Sequence, residues 1–293
     1  LKLPINYSIV TNIDFEHIDY YKSYKNLEKA FIEFINKTPP IGKSLICIDN
    51  NNINKILSRI RNKNILTYGF KKESNYRISN PRYNANHSLF DLYYKNLNGS
   101  RRIIRNINLR LIGRHNILNA AAAVAVCINL GVKIDIIKKA LKNFSGVQRR
   151  MTKIFSKNKN EFFDDYAHHP TEISSILDGI NKAYNNRKII TVFEPHRYSR
   201  IMSLKKAFSK SFHQSDLVLI CPLYAAGEKK NVNFNLYNFA KLISKNSKTQ
   251  VVLVKNQKEL SNYFKKNLIS NEIIIGMGAG SISQWMRELK FSL

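Results

Sequence analysis

The sequence predicts an α/β protein with two domains, residues 1–145 and residues 146–293. From Gly146 onward, short apolar runs of strand length alternate with amphipathic stretches of helix length. Such alternation is typical of an open, mostly parallel sheet with helices on both faces. The first half is less regular, and its tyrosine-rich stretch at 65–111 predicts antiparallel strands or a hairpin. The change of rhythm places the domain boundary near Phe144 to Arg150.

The first half opens with an apolar run, Tyr7–Val10, that predicts a strand. Within the stretch at 65–111, Asn98 and Gly99 form a turn signal. Asp135 has a side chain suited to the N-cap of the last helix of this half. The remaining predicted elements are a helix near 27–35 closed by two prolines, a buried strand at 44–48, and helices at about 116–130 and 135–144.

The second half contains five strand candidates, each followed by a helix candidate. In parallel sheets of this kind, ligands bind beyond the carboxyl ends of the strands. We therefore expect functional side chains directly after strands. The predicted strands are 162–163, 189–193, 217–221, 251–254 and 273–275, and helices are predicted from near Pro170, Ser203, Asn235 and Gln257 and after Gly280.

The net charge of +28, from 48 basic and 20 acidic side chains, is compatible with a polyanionic partner such as nucleic acid. However, the basic side chains are spread along the chain rather than gathered in one arm or tail. Lysine, asparagine, isoleucine, tyrosine and phenylalanine are all abundant, and these residues have A/T-rich codons. Compositional drift therefore explains the charge better than nucleic-acid binding does.

Cysteine content and apolar runs narrow the class of protein further. Cys47, Cys127 and Cys221 lie in apolar stretches without a CxxC pair, which argues against a disulfide framework or a zinc site and favours a reducing cytoplasm. The longest apolar run, roughly 120–128, is far shorter than the ~20 residues of a membrane helix. The chain begins without methionine or a secretory signal, so we expect it to be an interior part of a longer polypeptide.

Two polar clusters occur in the first half. Residues 11–19, directly after the first strand, combine Asn, Asp, Glu and His, which can hold a divalent metal together with phosphate oxygens or can form a polar loop that caps a helix. Residues 113–119 begin a helix rich in alanine. Asn116 can cap that helix, or its amide and the imidazole of His115 can contact a nucleotide base.

Two further clusters follow strands of the second half. Residues 164–172 place two carboxylates at a strand end, then two histidines, then a helix opened by Pro170. So many ionisable groups at this place favour a functional site over simple capping by His169. In residues 194–200, Arg197 and Arg200 have the spacing to clamp a carboxylate or phosphate. The glycine-rich turn at 276–280 lacks the full GxGxxG context and predicts tight strand-to-helix packing.

Taken in order, these segments resemble the Mur ligases of peptidoglycan synthesis. The shared features are Gly-Arg-His-Asn-x-x-Asn-Ala at 113–120 and a strand followed by Thr-Asn-Ile-x-x-x-His-x-Asp at 11–19. Residues 164–172 and 195–200 are similar to the member that adds the first amino acid. A recycling relative that attaches a tripeptide shares Asp-Asp-x-x-His-His-Pro but lacks the His-Arg-Tyr-Ser-Arg cluster. The resemblance runs along nearly the whole chain, with 70–108 its least distinctive part.

The resemblance implies the remainder of a central ATPase-type α/β domain, residues 1–145, followed by a Rossmann-like C-terminal domain, residues 146–293. It implies a ligase that uses ATP and Mg²⁺ to activate the lactyl carboxylate of UDP-N-acetylmuramate as an acyl phosphate, which the amine of L-alanine then attacks. Such chemistry depends on charge neutralisation and positioning more than on a protein nucleophile. Because ATP would sit between the two domains, domain closure would assemble the site.

The resemblance also assigns roles to individual residues. It implies His17 as a magnesium ligand; His115, Asn116 and Asn119 at the adenine; Arg149 or Arg150 at the nucleotide phosphates; Asp164 or Asp165 at the ribose or a domain-closing contact; and His168, His196, Arg197 and Arg200 at the amino acid and the reacting carboxylate.

The sequence departs from the family pattern in several places. The Gly-x-x-Gly-Lys-Thr phosphate loop, the glutamate that usually precedes the first strand and the UDP-recognising domain are all absent from these 293 residues. We therefore expect poor ATP binding by this chain alone, and a separate or missing part that carries the loop. Ala167 replaces the usual glycine, and Glu194 replaces the usual glutamine and adds a negative charge beside the arginine clamp.

Two alternatives to the alanine-adding ligase remain open at this point. One is the tripeptide-adding relative. The other is a non-catalytic remnant that binds nucleotide or nucleic acid through its positive charge, although intact polar clusters argue against such decay.

Overall fold

Each half of the chain forms one six-stranded sheet with accompanying helices, so the predicted α/β class is confirmed. The computed structural model describes residues 4–96 and 98–293. Within it the chain divides into two compact units, the first ending at Phe144 and the second beginning at Ser145. None of the described helices is both long and apolar enough to cross a bilayer.

The first unit contains a mixed sheet in the order β1-β2-β3-β4-β5-β6. The first four strands are parallel neighbours, and β4 to β6 form an antiparallel meander. The strands are β1 Tyr7–Val10, β2 Lys43–Cys47, β3 Ile65–Gly69, β4 Tyr76–Asn84, β5 His87–Lys95 and β6 Arg101–Leu109. The helices are α1 Ile18–Tyr21, α2 Tyr24–Asn36, α3 Asn51–Ile56, α4 Arg114–Asn129 and α5 Ile134–Asn143, with a 3-10 turn at Leu57–Arg59.

The antiparallel strands predicted within 65–111 are confirmed by β4, β5 and β6. The strand β3 at the start of this stretch follows a helical crossover from β2 and pairs with it in parallel. One expectation for the first unit needs correction. Asp135 is not an N-cap: α5 begins at Ile134 with Lys133 as its N-cap, and Asp135 lies in the first turn. An acidic side chain there is favourable for the helix dipole, which gives the same sequence signal as a cap.

The second unit contains a sheet in the order β11-β10-β9-β12-β8-β7. All neighbours are parallel except the hairpin of β7 and β8. The strands are β7 Thr152–Lys157, β8 Asn160–Asp165, β9 Ile189–Phe193, β10 Leu217–Ile220, β11 Gln250–Leu253 and β12 Ile273–Met277. The helices are α6 Pro170–Ala183, α7 Tyr198–Phe208, α8 Leu236–Ser247, α9 Gln257–Asn267 and α10 Ile282–Ser292.

The apolar runs of the central strands follow from their position in the sheet. Every residue of β9 and β12 is buried, as expected for strands covered on both faces. Phe162 of β8 is fully buried in the core. Its ring stacks on Phe155 at 4.1 Å and meets Phe264 edge-on at 6.1 Å. Aromatic packing of this kind anchors the strand that carries the acidic pair.

Helix α7 begins at Tyr198, five residues before the predicted start near Ser203. Leu204 has non-helical angles (φ −111°, ψ 15°), so two short helical pieces are joined at a kink. The first piece contains Ser199 and Arg200 and buries only Ile201, which explains the error. Strand β7 was not predicted, because its exposed residues are Lys153, Ser156 and Lys157 and leave no continuous apolar run.

The register of the parallel strands brings three chain segments to one edge. Gly276 of β12 pairs with Asp164 on one side and with Val192 on the other. The segments that leave β8, β9 and β12 therefore emerge together at the carboxyl edge of the sheet. This edge holds the polar clusters at 164–172 and 194–200, which are the third and fourth along the chain, and the glycine-rich turn at 276–280.

Replacing Phe162 by Ala should lower the free energy of unfolding by about 3–5 kcal/mol, because it removes a buried ring and leaves a cavity. Urea unfolding of the chain measures this loss. Phe291→Ala is the matched control, since Phe291 is 86% exposed and its loss should change the free energy by less than about 0.5 kcal/mol. Equal losses in the two variants would contradict the position of β8 in the core.

Candidate active site

Asp165, the last residue of β8, is a buried carboxylate with both oxygens bonded to backbone. One oxygen accepts the N–H of Met151 and the other the N–H of Ala167, each at 2.7 Å. Burial raises the pKa of Asp165 to about 6, although these donors act in the opposite direction. Asp165 thus ties the segment before β7 to the loop after β8, and its oxygens are committed to that task.

Asp164 has a different environment from its neighbour. It is fully buried, and its Oδ2 accepts the hydroxyl of Ser283 at 2.5 Å. The guanidinium groups of Arg149 and Arg287 lie 3.9 and 3.6 Å from the same oxygen. Its Oδ1 has no hydrogen-bond partner within the described residues. Since buried acceptors are normally satisfied, Asp164 is the member of the pair with capacity for a ligand.

Arg149 and Arg150 lie over one aromatic ring. The guanidinium of Arg149 is 4.7 Å from the centre of the Tyr166 ring, and that of Arg150 is 5.9 Å from it. Arg149, with a positive φ of 58°, also donates to the carbonyl of Gly278 at 2.8 Å. Arg150 donates to Glu172 at 3.4 Å. The sequence analysis did not single out Tyr166, although its position inside the acidic and histidine cluster was a usable signal.

The two histidines after β8 have separate roles. His169 is the N-cap of α6, and its Nδ1 accepts the N–H of Thr171 at 3.4 Å. This is the capping interpretation that the sequence left open. His168 instead faces His196, with ring centres 5.7 Å apart. Its Nδ1 lies 2.8 Å from the carbonyl of Tyr166, so the network assigns the proton to Nδ1.

His196 and Arg200 form one unit of the fourth cluster. A guanidinium nitrogen of Arg200 donates to Nδ1 of His196 at 3.0 Å, which requires a lone pair on Nδ1 and a neutral ring. Burial, together with the positive charges of Arg200 and Arg197, lowers the pKa of His196 to about 4. The imidazole is therefore neutral near pH 7 with its proton on Nε2.

Arg197 is held by a carboxylate that the sequence analysis missed. Its φ of 68° turns the chain at the start of α7, and its Nε donates to Glu228 at 3.0 Å. The same carboxylate accepts the N–H and the hydroxyl of Ser199. Burial opposes ionisation of Glu228, but these donors and Arg197 hold its pKa below the ordinary range. The third and fourth clusters thus come together at the carboxyl edge.

Glu194, which the sequence places beside the arginine clamp, bonds the start of α10. Its carboxylate is buried and accepts both the N–H of Ser281 at 3.0 Å and its hydroxyl at 2.5 Å, at the start of α10. Burial raises its pKa against these donors. A Cβ on Gly278 or Gly280 would lie 3.0 or 2.3 Å from the glutamate. The glycine-rich turn is therefore closely packed, as predicted, and the helix N-terminus accounts for the charge.

Residues 113–119 of the first unit begin α4 with Gly113 as the N-cap. The side-chain amide of Asn116 donates to the carbonyl of Ile112 at 2.8 Å, so Asn116 is not the cap. On the same helix His115 is half-buried and Asn119 is exposed. Arg114 bonds Asp49 at 2.7 Å and covers the Phe70 ring at 3.7 Å. Asp49 and Phe70, which anchor this helix start, were not predicted.

His17 lies in an exposed loop with a positive φ of 55°. Among the described residues, no group of three or more His, Cys, Asp or Glu side chains is placed to hold a metal ion. His17 as a magnesium ligand therefore stays a prediction.

The sequence contains one Gly-Lys-Ser triplet, at 42–44, which resembles the end of a phosphate loop. In a phosphate loop this triplet follows a strand and begins a helix. Here Lys43 is the first residue of β2, and the Ser44 hydroxyl is buried and bonded to Ser8 at 2.9 Å. The triplet therefore belongs to the core of the first sheet and cannot cradle phosphate.

Comparison with known families identifies the class of protein. A model of the Mur ligase middle domain matches residues 1–127, and a model of the Mur ligase glutamate ligase domain matches residues 149–280. The chain therefore belongs to the Mur ligase family, as the resemblance of its polar clusters predicted.

Within this family, the chain is similar to several individual ligases. The chain is 49% identical, over 99% of its length, to a UDP-N-acetylmuramate–L-alanine ligase of Pelagibacter ubique, and it covers 62% of that protein. Its fold matches the UDP-N-acetylmuramate–alanine ligase MurC of Thermotoga maritima with a TM-score of 0.75, 25% identity and coverage of 98% of this chain and 59% of that one. MurF ligase of the same organism, solved with ADP, matches at 0.72 with 14% identity, over 99% of this chain and 64% of that one. The chain thus spans about three fifths of such relatives.

The pKa of Asp165 generates a prediction about stability. A carboxyl whose pKa is raised in the folded state favours folding while protonated. Its contribution is fully present below the ordinary value of 3.8 and is lost as the pH rises through about 6. The free energy of unfolding should therefore fall over this window by up to about 3 kcal/mol because of Asp165.

Asp165→Asn should lack this component of the pH dependence, which urea unfolding at a series of pH values measures. Asp178→Asn, at a half-exposed surface site paired with Lys182, should keep it. If Asp165→Asn and wild type had parallel profiles between about pH 4 and pH 6, the assignment of the buried proton to Asp165 would be wrong.

Proposed function

We propose that this chain forms part of a ligase that joins L-alanine to the lactyl carboxylate of UDP-N-acetylmuramate with consumption of ATP. The observation that carries the proposal is the meeting of His168, His196 and Arg200 at the carboxyl edge of the second sheet. Identity of 49% to an alanine-adding ligase supports that activity over the tripeptide-adding alternative. The ordered buried contacts of these clusters also argue against a non-catalytic remnant.

The chemistry needs a site that accepts negative charge. Arg197 and Arg200 lie at the start of α7, where both guanidinium groups and helix N–H groups favour anions. We assign them to the carboxylate of L-alanine and to the reacting carboxylate. His196 is neutral, and its Nε2–H can donate a hydrogen bond without adding a competing charge.

The amine of L-alanine must be held close to its target. With its proton on Nδ1, His168 has its lone pair on Nε2 and can accept a hydrogen bond from the amine. The 5.7 Å between the rings of His168 and His196 places a donor and an acceptor side by side. Positioning of the two reactants in this way provides a large part of the catalysis in such transfers.

The residues of the second unit suit a nucleotide. We assign the unsatisfied Oδ1 of Asp164 to a ribose hydroxyl, and Arg149 or Arg150 to the phosphates. ATP would supply the phosphoryl group that activates the carboxylate. We assign His115, Asn116 and Asn119 to the adenine on the family resemblance alone. We assign His17 to Mg²⁺ on the family resemblance as well.

The family phosphate loop is absent from these 293 residues, so we propose that turnover requires a segment that carries it. A cytoplasmic location is also part of the proposal and agrees with the three free cysteines, of which Cys47 and Cys221 are buried.

The requirement for a phosphate loop is testable by complementation. Phosphate release with ATP, UDP-N-acetylmuramate and L-alanine should be negligible for this chain alone, because nothing in it cradles the β- and γ-phosphates. Fusion to the part of the Pelagibacter ubique ligase that this chain does not match should restore L-alanine-dependent release. Equal turnover by the chain alone and by the fusion would refute the requirement for a phosphate loop. Phosphate release that does not depend on L-alanine would refute the proposed activity.

In the fused form, Arg200→Ala should raise KM for L-alanine by about 10- to 100-fold and KM for ATP far less. The reason is that Arg200 both supplies positive charge and orients His196. Arg102→Ala, at an exposed position of β6, is the control. A larger effect on ATP than on L-alanine would show that the cluster is assigned to the wrong substrate.

A further inference from the structure

We propose that the loop after β10, residues 221–228, positions the side chains of the arginine–histidine cluster, which consists of His196, Arg197 and Arg200. In this proposal Tyr224 sets the imidazole of His196, and Glu228 sets the guanidinium of Arg197. The inference rests on the proposed function, because it concerns the residues assigned to the amino acid. Neither Tyr224 nor Glu228 belongs to the polar clusters that the sequence revealed.

The first support is the backbone. Strands β9 and β10 are parallel neighbours, and the segments that leave them stay attached. The N–H of Tyr224 donates to the carbonyl of Pro195 at 2.8 Å, and the N–H of Arg197 donates to the carbonyl of Tyr224 at 2.9 Å. These two bonds flank His196 and form an isolated parallel bridge between His196 and Tyr224. One residue of the loop therefore fixes the backbone on both sides of His196.

The second support is the aromatic ring. The rings of Tyr224 and His196 are nearly parallel, with an interplanar angle of 11° and centres 5.5 Å apart. The Tyr224 ring also packs against Gly280, where a Cβ would lie only 2.5 Å from its Cγ. The Tyr224 ring is thus in close contact with the backbone of Gly280, which limits its movement. One face of the ring is turned toward the imidazole of His196. Such offset stacking favours one orientation of His196.

The third support is the carboxylate at the other end of the loop. Glu228 accepts Nε of Arg197 and both the N–H and the hydroxyl of Ser199. A bond at Nε fixes the plane of the guanidinium, which determines where its terminal nitrogens can meet a carboxylate. The short loop therefore orients both the neutral and the cationic member of the cluster.

A loop that only stabilised the unit would act on His196 through unfolding, whereas a positioning loop acts on the imidazole itself. Tyr224→Phe keeps the stacked ring and Tyr224→Ala removes it, so the pair separates these roles. Tyr237→Ala is a matched control, because Tyr237 is an exposed tyrosine on α8 of the same unit.

The direct test is ¹⁵N NMR of the histidine rings in this chain at pH 6, which reports protonation and tautomer without requiring ligase activity. We expect His196 to be neutral with its proton on Nε2 in wild type, Tyr224→Phe and Tyr237→Ala. In Tyr224→Ala the His196 ring becomes more exposed to water, and the protonation of His196 should move toward that of an ordinary histidine of pKa 6.5. An unchanged His196 signal in folded Tyr224→Ala would overturn the positioning role of the loop.

A second measurement separates this inference from the proposed function. In the fused, active form, Tyr224→Ala and Glu228→Gln should raise KM for L-alanine about tenfold or more and KM for ATP by less than about twofold. Tyr224→Phe, which keeps the ring, should have the wild-type KM for L-alanine. If the NMR signal of His196 changes as expected but KM for L-alanine does not, positioning stands and the amino-acid role of the cluster is wrong.

Discussion

The second unit depends on carboxylates that are buried where two central strands end. Asp164 and Asp165 close β8, and Glu194 follows β9, with none of the three more than 2% exposed. Removing a carboxylate from water is costly unless donors replace the lost hydration. The chain supplies those donors from distant segments, namely the loop before β7 and the start of α10. Arg149 and Arg287 add positive charge 3.9 and 3.6 Å from Asp164. Charge burial thereby forces these segments to meet at one edge.

This constraint explains how the basic residues of the site can be ordered without repelling one another. Arg149 is oriented by Asp164, the carbonyl of Gly278 and the ring of Tyr166. His196 meets the positive charge around it by remaining neutral, which leaves its Nδ1 able to accept a bond from Arg200. A site whose basic groups are ordered and positive is suited to substrates that carry carboxylate and phosphate groups.

The sequence predicted the parts of this arrangement that depend on local order. Strand ends, the Pro170 helix start and the polar clusters follow from apolar runs and capping residues, all visible along the chain. The direction of Glu194 could not be predicted, because it depends on Ser281, which lies 87 residues away. Tyr224 and Glu228 were not predicted for the same reason. They follow β10, and their contacts are with His196 and Arg197, which follow the neighbouring strand β9. The start of α7 was misplaced because the piece before the kink at Leu204 buries only Ile201 and shows no apolar period.

The central claim is that the carboxyl edge of the second sheet binds the amino-acid end of the reaction. Titration of the ¹⁵N- and ¹³C-labelled chain with UDP-N-acetylmuramoyl-L-alanine, the expected product, tests it most directly. We expect shifts of the His168 and His196 ring signals and of the backbone amides of residues 196–200. The opposite edge has its own cavity, of about 320 Å³ and lined by Lys188, Asp216 and Glu272 among others. Shifts confined to that cavity, or no shift at the two histidines at saturating product, would contradict the account.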